Sequence, residues 1–177
     1  DVPGMFTSNP RDIPSARLLR QLTYAEAQEL ATMGASVLHP RCLAPVRRYG
    51  IPLQVRSTDH PDLDGTIVSD EIPDDGPEVK AISAKDGVTV ISMDTLGMWQ
   101  QVGFLADVFQ VFKHHGLSID LVATSEANVT VTLDPMANAL DPDVIDRLLR
   151  DLNQYCDASI IGPCAVVSLV GRHIRSM

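Results

Sequence analysis

The chain has 177 residues, 45% of them apolar and 21% charged, and a formal net charge of −9. That length closes one good core or two small ones, and the apolar fraction excludes wholesale disorder. The acidic balance, with no basic cluster longer than Arg47-Arg48, argues against nucleic acid or an anionic membrane as the main partner. No apolar run reaches the roughly 20 residues that span a bilayer, and the first residues carry no signal-peptide pattern. Cys42, Cys156 and Cys164 are odd in number and form neither a disulfide framework nor C-x-x-C metal spacing, so a reducing, cytoplasmic setting is expected.

Thr23-Tyr24-Ala25-Glu26 reads as a capping box. It opens a helix with its apolar stripe at Ala27, Leu30, Ala31, Gly34 and Val37 or Leu38. His39-Pro40 should end that helix, because the residue before proline is pushed out of the α region. A second helix from Pro40 towards Tyr49 is shortened or kinked by Pro45 and stopped by Gly50. Ile51, Leu53 and Val55 suit a strand, and Gly65-Thr66-Ile67-Val68 another. The acidic, proline- and glycine-containing run 70–78 reads as a linker.

Beyond it the periodicity is regular. Strands are expected at 79–83 and 88–93, and a helix at 103–115 with Phe104, Leu105, Val108, Phe109 and Phe112 on one face. Strands follow at 117–122 and 128–134. Asp141-Pro142 then opens a helix carrying Val144, Ile145, Leu148, Leu149 and Leu152, and a strand at 158–161 closes the set. The order β-α-β-β-α-β is the ferredoxin-like pattern. A strand at 165–170 is one more than that unit needs, so its neighbour should come from a further domain or another subunit.

Two segments carry chemistry. The run 1–11, Asp-Val-Pro-Gly-Met-Phe-Thr-Ser-Asn-Pro-Arg, followed by Gly34-Ala35-Ser36-Val37-Leu38-His39-Pro40 and Gly65-Thr66-Ile67-Val68, resembles the nucleotide-binding end of the aspartate kinase family. The resemblance implies an ATP pocket lined by Asp1, Phe6, Arg11, Ser36 and Val37. Arg11 is a fork of donors suited to phosphate oxygens. Phe6 stands where the family usually has tyrosine, and Ser36 where it has lysine. The family's K-F-G-G-[TS] segment and its aspartate-binding segments are not within this sequence, so no catalytic residue is assigned and the stretch alone is expected to be inactive.

The second segment runs from Leu96 through Met98, Gln101, Gly103, Phe104 and Leu105 into the helix, then continues as Ser118-Ile119-Asp120-Leu121-Val122-Ala123-Thr124-Ser125-Glu126. Free amides at a helix start near Gly103 favour an anion. If the next strand runs beside the first, Asp120 lies close to them, giving amides for the carboxylate of an amino acid and Asp120 for its ammonium. This pattern resembles the first ACT domain of aspartate kinases of the lysine-responsive class. The resemblance implies lysine contacts from Met98, Gln101, Gly103, Phe104, Leu105, Ile119, Asp120, Thr124, Ser125 and Glu126, with lysine held between ACT domains of two subunits.

The fold expectation is therefore α/β: the end of an amino-acid-kinase domain (1–69), a linker (70–78), a ferredoxin-like ACT domain (79–164) and the first strand of a second ACT domain (165–177). The parent is expected to be an ATP-dependent aspartate kinase, phosphorylating the L-aspartate β-carboxylate with ATP and Mg2+ as substrate and no tightly bound cofactor. L-lysine is the expected effector and a homodimer the expected assembly. The alternatives are a threonine-responsive enzyme and a non-catalytic amino-acid sensor. His114-His115, and His39 with Cys42, lack further ligands at metal spacing, so no metal site is assigned.

Overall fold

The computed structural model describes residues 2–34, 37–71, 78–95, 101–172 and 174. It separates into two compact units, Asp1–Lys85 with Val167–Met177, and Asp86–Val166. The units thus part within a strand at Lys85 rather than in the acidic run 70–78, and residues from Val167 onwards return to the first unit.

In the first unit, α1 (Tyr24–Thr32) is opened by the capping box as the sequence requires. Thr23 Oγ1 accepts from the Glu26 amide at 3.2 Å, and Glu26 Oε2 accepts from the Thr23 amide at 2.7 Å. The helix ends well before His39. Gly34, read in the sequence as part of the apolar stripe, sits at φ +116 just past the last turn, a backbone that terminates a helix. Val37 and Leu38 still pack on the core, but from outside the helix. The expected second helix is a 3-10 turn (Pro40–Cys42) followed by α2 (Leu43–Arg48). Pro45 falls in the first turn of α2, where an amide has no intrahelical acceptor to lose. His39 Nδ1 accepts from the Arg41 amide at 3.2 Å and so caps the turn.

β1 (Met5–Phe6) and β2 (Leu18–Leu19) form an antiparallel pair. β3 (Gln21–Leu22), β4 (Leu53–Val55) and β5 (Thr66–Val68) form a sheet of order β3-β5-β4, with β5 parallel to β3. Fully buried Thr66 accepts from the Met5 amide at 2.8 Å and donates to the Leu19 carbonyl at 2.6 Å. The threonine of the Gly-Thr-Ile-Val run thereby pins the Pro3–Phe6 loop. Gly65 beside it stands at φ +72, and a Cβ there would collide with the Val55 carbonyl oxygen, so only glycine fits.

β6 (Val79–Asp94) and β9 (Asp157–Gly171) are each one continuous strand where two shorter ones were expected. Ala81 and Val170 join Met5, Leu22, Tyr24, Ala27, Leu30, Leu43 and Val68 in the first unit's core. The strand at 165–170 thus finds its neighbour within this chain: Arg172 N donates to the Glu78 carbonyl at 2.8 Å.

The second unit has the expected β-α-β-β-α-β order, completed by α3 (Phe104–His114), β7 (Val122–Thr124), β8 (Asn128–Leu133) and α4 (Pro142–Leu152). Its sheet order is β7-β8-β6-β9, with β8 antiparallel to both neighbours. Val129, Val131 and Leu133 alternate into a core shared with Ile91, Met93, Phe104, Val108, Phe112, Leu148 and Leu152, the period-2 and helical-period faces meeting as the sequence pattern demands.

Candidate functional site

Asp1, Ser36 and Met98 lie outside the described residues. Of the other nucleotide candidates, Phe6 is half-buried in β1 opposite Leu18. Arg11 is exposed on the connection to β2, its amide donating to Asn9 Oδ1 at 3.2 Å. That connection is shaped locally. The Thr7 amide donates to the Arg17 carbonyl at 2.9 Å, and the Arg17 amide donates back to Thr7 Oγ1 at 3.0 Å. Val37 is half-buried against the core. A groove of about 670 Å³ in this unit is lined by Tyr24, Gln28, Glu29, Leu43, Arg47 and Arg48 among others, and none of the described nucleotide candidates, Phe6, Arg11 and Val37, contributes to it.

The effector candidates fall into two groups. β6 ends at Asp94 opposite Asn128, and β7 ends at Thr124 opposite Val129. The turn carrying Ser125 and Glu126 is therefore level with the end of β6. The Thr95 amide donates to the Ala127 carbonyl at 2.9 Å, tying the departing chain to that turn. Eight residues after Thr95 the chain reaches Gly103, the N-cap of α3 at φ +92. Helix α3 begins there and, at 11 residues, is about 16 Å long. Gln101 and Gly103 are exposed, Leu105 is 40% exposed, and Phe104 is buried at 2%.

Ile119 and Asp120 form the second group. Both are half-buried, and Ile119 packs on the core. The Asp120 amide donates to the Thr132 carbonyl at 2.9 Å, while the Thr132 amide donates to the Leu121 carbonyl at 3.0 Å. Leu121 N also reaches Thr132 Oγ1 at 2.9 Å. Two residues oppose one, the arrangement of a β-bulge, which is why the regular strand starts at Val122 rather than at Leu117. Thr132 faces Val90, whereas the Ser125–Glu126 turn is level with Asp94, roughly 13 Å further along at about 3.3 Å per residue. The expectation for Asp120 rested on the second strand of the unit running beside the first, and the sheet does not place it there. β8 lies between β6 and β7, since the ferredoxin-like order places the third strand, not the second, next to the first.

Sequence reasoning passed over the polar network behind the turn. Asn128 Nδ2 donates to Asp94 Oδ1 at 2.7 Å and to Ser92 Oγ at 2.8 Å, and its Oδ1 accepts from Thr130 Oγ1 at 2.8 Å. The polar positions Ser92, Asp94, Asn128 and Thr130 alternate with the apolar core positions, and that alternation was the available signal. Among the described residues no group of three or more His, Cys, Asp or Glu could hold a metal ion, and no helix is long and apolar enough to cross a membrane.

The β-α-β-β-α-β unit with sheet order β7-β8-β6-β9, beside a unit of mixed α/β structure, is a ferredoxin-like fold of the ACT type. The model of the amino acid kinase family matches residues 1–57. The lysine-sensitive aspartokinase 3 of Escherichia coli is 35% identical over 98% of this chain, and aspartokinase 1, chloroplastic, of Arabidopsis thaliana is 35% identical over 97%. The crystal structure of E. coli aspartokinase III with lysine and aspartate (T-state) aligns over 97% of the chain at TM-score 0.85. That of the same enzyme with aspartate and ADP (R-state) aligns over 100% at 0.88, each at 35% identity. The chain belongs to the aspartokinase family. It spans 39% of the length of the E. coli relative and 31% of the Arabidopsis one, and 38% and 40% of the two crystallised chains.

Proposed function

We propose that this chain is the ATP-binding end and regulatory module of an aspartate kinase, which phosphorylates the β-carboxylate of L-aspartate with ATP and Mg2+. L-lysine bound to residues 86–166 lowers that activity. The observation that carries this reading is the alignment, over nearly the whole chain, with an aspartokinase crystallised with lysine and aspartate. The ADP complex of the same relative supports ATP as the nucleotide substrate, and in this reading Asp1, Phe6, Arg11, Ser36 and Val37 line its pocket.

On the effector side, the exposed turn Thr124-Ser125-Glu126 stands level with the end of β6, and at the start of α3 Gly103 and Leu105 offer free amides to a carboxylate. Glu126 is the natural partner for the ε-ammonium. Asp120 lies too far along the same chain to complete this cradle. β7 is an edge strand exposed throughout, and an open edge favours pairing with another chain. The reading is therefore a cytoplasmic homodimer in which Asp120 and Ile119 of one subunit face the helix start of the other. Residues 165–177 open a second ACT domain in this scheme. Lysine then acts by binding one of two arrangements more tightly.

Calorimetry of the chain with L-lysine tests the assignment. Saturable heat with lysine, and none with threonine, is the expected result. Binding of threonine alone would make this a threonine-responsive member. Lysine binding by a full-length protein that lacks aspartate-dependent ATP turnover would favour the non-catalytic sensor.

A further inference from the structure

Asn128 is the first residue of β8 and pairs with Asp94, the last of β6. Its backbone closes the turn that bears Ser125 and Glu126. The Asn128 amide donates to Ser125 Oγ at 3.1 Å, and its carbonyl accepts from the Ser125 amide at 2.8 Å. Its side chain does a different job. One amide group spends both donor directions on β6, on Asp94 Oδ1 and on Ser92 Oγ, and its acceptor on Thr130. Ser92 Oγ in turn donates to Asp94 Oδ2 at 3.2 Å, and Ser92 is a buried residue, 8% exposed. Only an amide supplies two donors and an acceptor from one short side chain. The bonds to Asp94 are charge-assisted and so stronger than neutral ones.

From this network we infer that Asn128, with Asp94 and Ser92, is a positioning residue for the effector. It holds the Thr124–Glu126 turn in fixed register with the end of β6, and so sets effector affinity without touching the effector. The inference rests on the effector reading above. Its physical content is preorganisation: a turn already locked against β6 loses less freedom when the ligand binds. A hairpin that merely needed stabilising would be served by the backbone ladder and the Ser125–Asn128 turn bonds. The cross-strand amide adds a fixed distance between the two halves of the cradle.

The test is a charge-swap cycle in the whole chain, read by calorimetry with L-lysine and L-threonine well below the melting temperature. Asn128→Asp removes both donors and sets a carboxylate against Asp94, so affinity for the effector should fall about tenfold or more. Adding Asp94→Asn returns a donor to the pair, and affinity should recover to within about threefold of the unsubstituted chain. Asn128→Ala, which removes the donors without adding charge, gives the same loss if Asn128→Asp does not fold. A chain that binds neither amino acid overturns the effector reading and this inference together. Effector binding that survives Asn128→Asp or Asn128→Ala within about twofold, or that the swap fails to restore, overturns the positioning role alone.

Discussion

Replacing Glu26 with alanine is expected to lower the unfolding free energy by about 3–5 kcal/mol, the cost of removing one partner from a buried ion cluster. Glu26 is 3% exposed. Its two carboxylate oxygens receive Lys80 Nζ at 2.9 and 3.0 Å, Arg172 Nε at 3.2 Å and the Thr23 amide at 2.7 Å. Lys80 is itself buried, with 7% of its side chain accessible. The variant therefore leaves an ammonium in the interior without the carboxylate that neutralises it, and it also strips the capping box from α1. Glu26→Gln keeps the shape and one acceptor, so its loss should be smaller. Urea unfolding near neutral pH reads both variants. A loss below about 1 kcal/mol for Glu26→Ala, the range of exposed ion pairs, would mean that water reaches the cluster.

The same cluster predicts a pH dependence with a definite sign. Burial alone pushes the Glu26 carboxyl up, but the Thr23 amide and the Lys80 ammonium outweigh it and hold the group below its ordinary value of 4.5. A folded-state value below the unfolded one means that the unfolded chain takes up the proton first. The contribution of Glu26 is thus complete above 4.5 and is lost as the pH falls through the depressed folded value. The stability gap between the unsubstituted chain and Glu26→Gln should stay constant from neutrality down to about 4.5 and narrow from there towards the depressed folded value. A gap that widens on acidification would reverse the sign and the assignment of cause.

Glu26 also marks the limit of what the sequence discloses. Its capping-box role was legible, because Thr23 and Glu26 are three residues apart and the bonds are local. Its ion partners were not, because Lys80 and Arg172 lie 54 and 146 positions away and a lysine in an alternating strand reads as solvent-facing. The same division runs through the rest of the chain. Helices α3 and α4 and the β-α-β-β-α-β order followed from periodicity and caps. β6 and β9 were each expected as two shorter strands, and Gly87 and Gly162-Pro163 fall between the expected halves. Both lie inside single strands in the structure. The strand adjacency assumed for Asp120 was wrong for a related reason: which strands lie side by side is a property of the sheet, and no spacing within 96–126 encodes it. The Gly34 stop was present in the sequence and was counted as part of a stripe.

Phe104→Ala is expected to cost about 3–5 kcal/mol, as for other large-to-small changes at packed aromatic positions, and the reason bears on the effector site. The family resemblance makes Phe104 a lysine contact. Its ring, however, is 2% exposed and sits in the core with Ile91, Met93, Val108, Val129, Val131 and Leu148. A ring committed to the core has no face left for a ligand. What Phe104 can offer is its backbone amide in the first turn of α3, and any side chain there supplies that equally. Phe104→Leu should therefore bind lysine nearly as well as the unsubstituted chain, while losing roughly 1–2 kcal/mol of stability for the smaller side chain. Leu105, 40% exposed, behaves in the opposite way. Leu105→Ala should change stability by less than about 1 kcal/mol, yet weaken lysine binding if its side chain covers the ligand. Unfolding curves paired with calorimetry separate the two positions. Loss of lysine binding in a well-folded Phe104→Leu chain would show that the ring leaves the core to meet the effector, and would make Phe104 a contact after all.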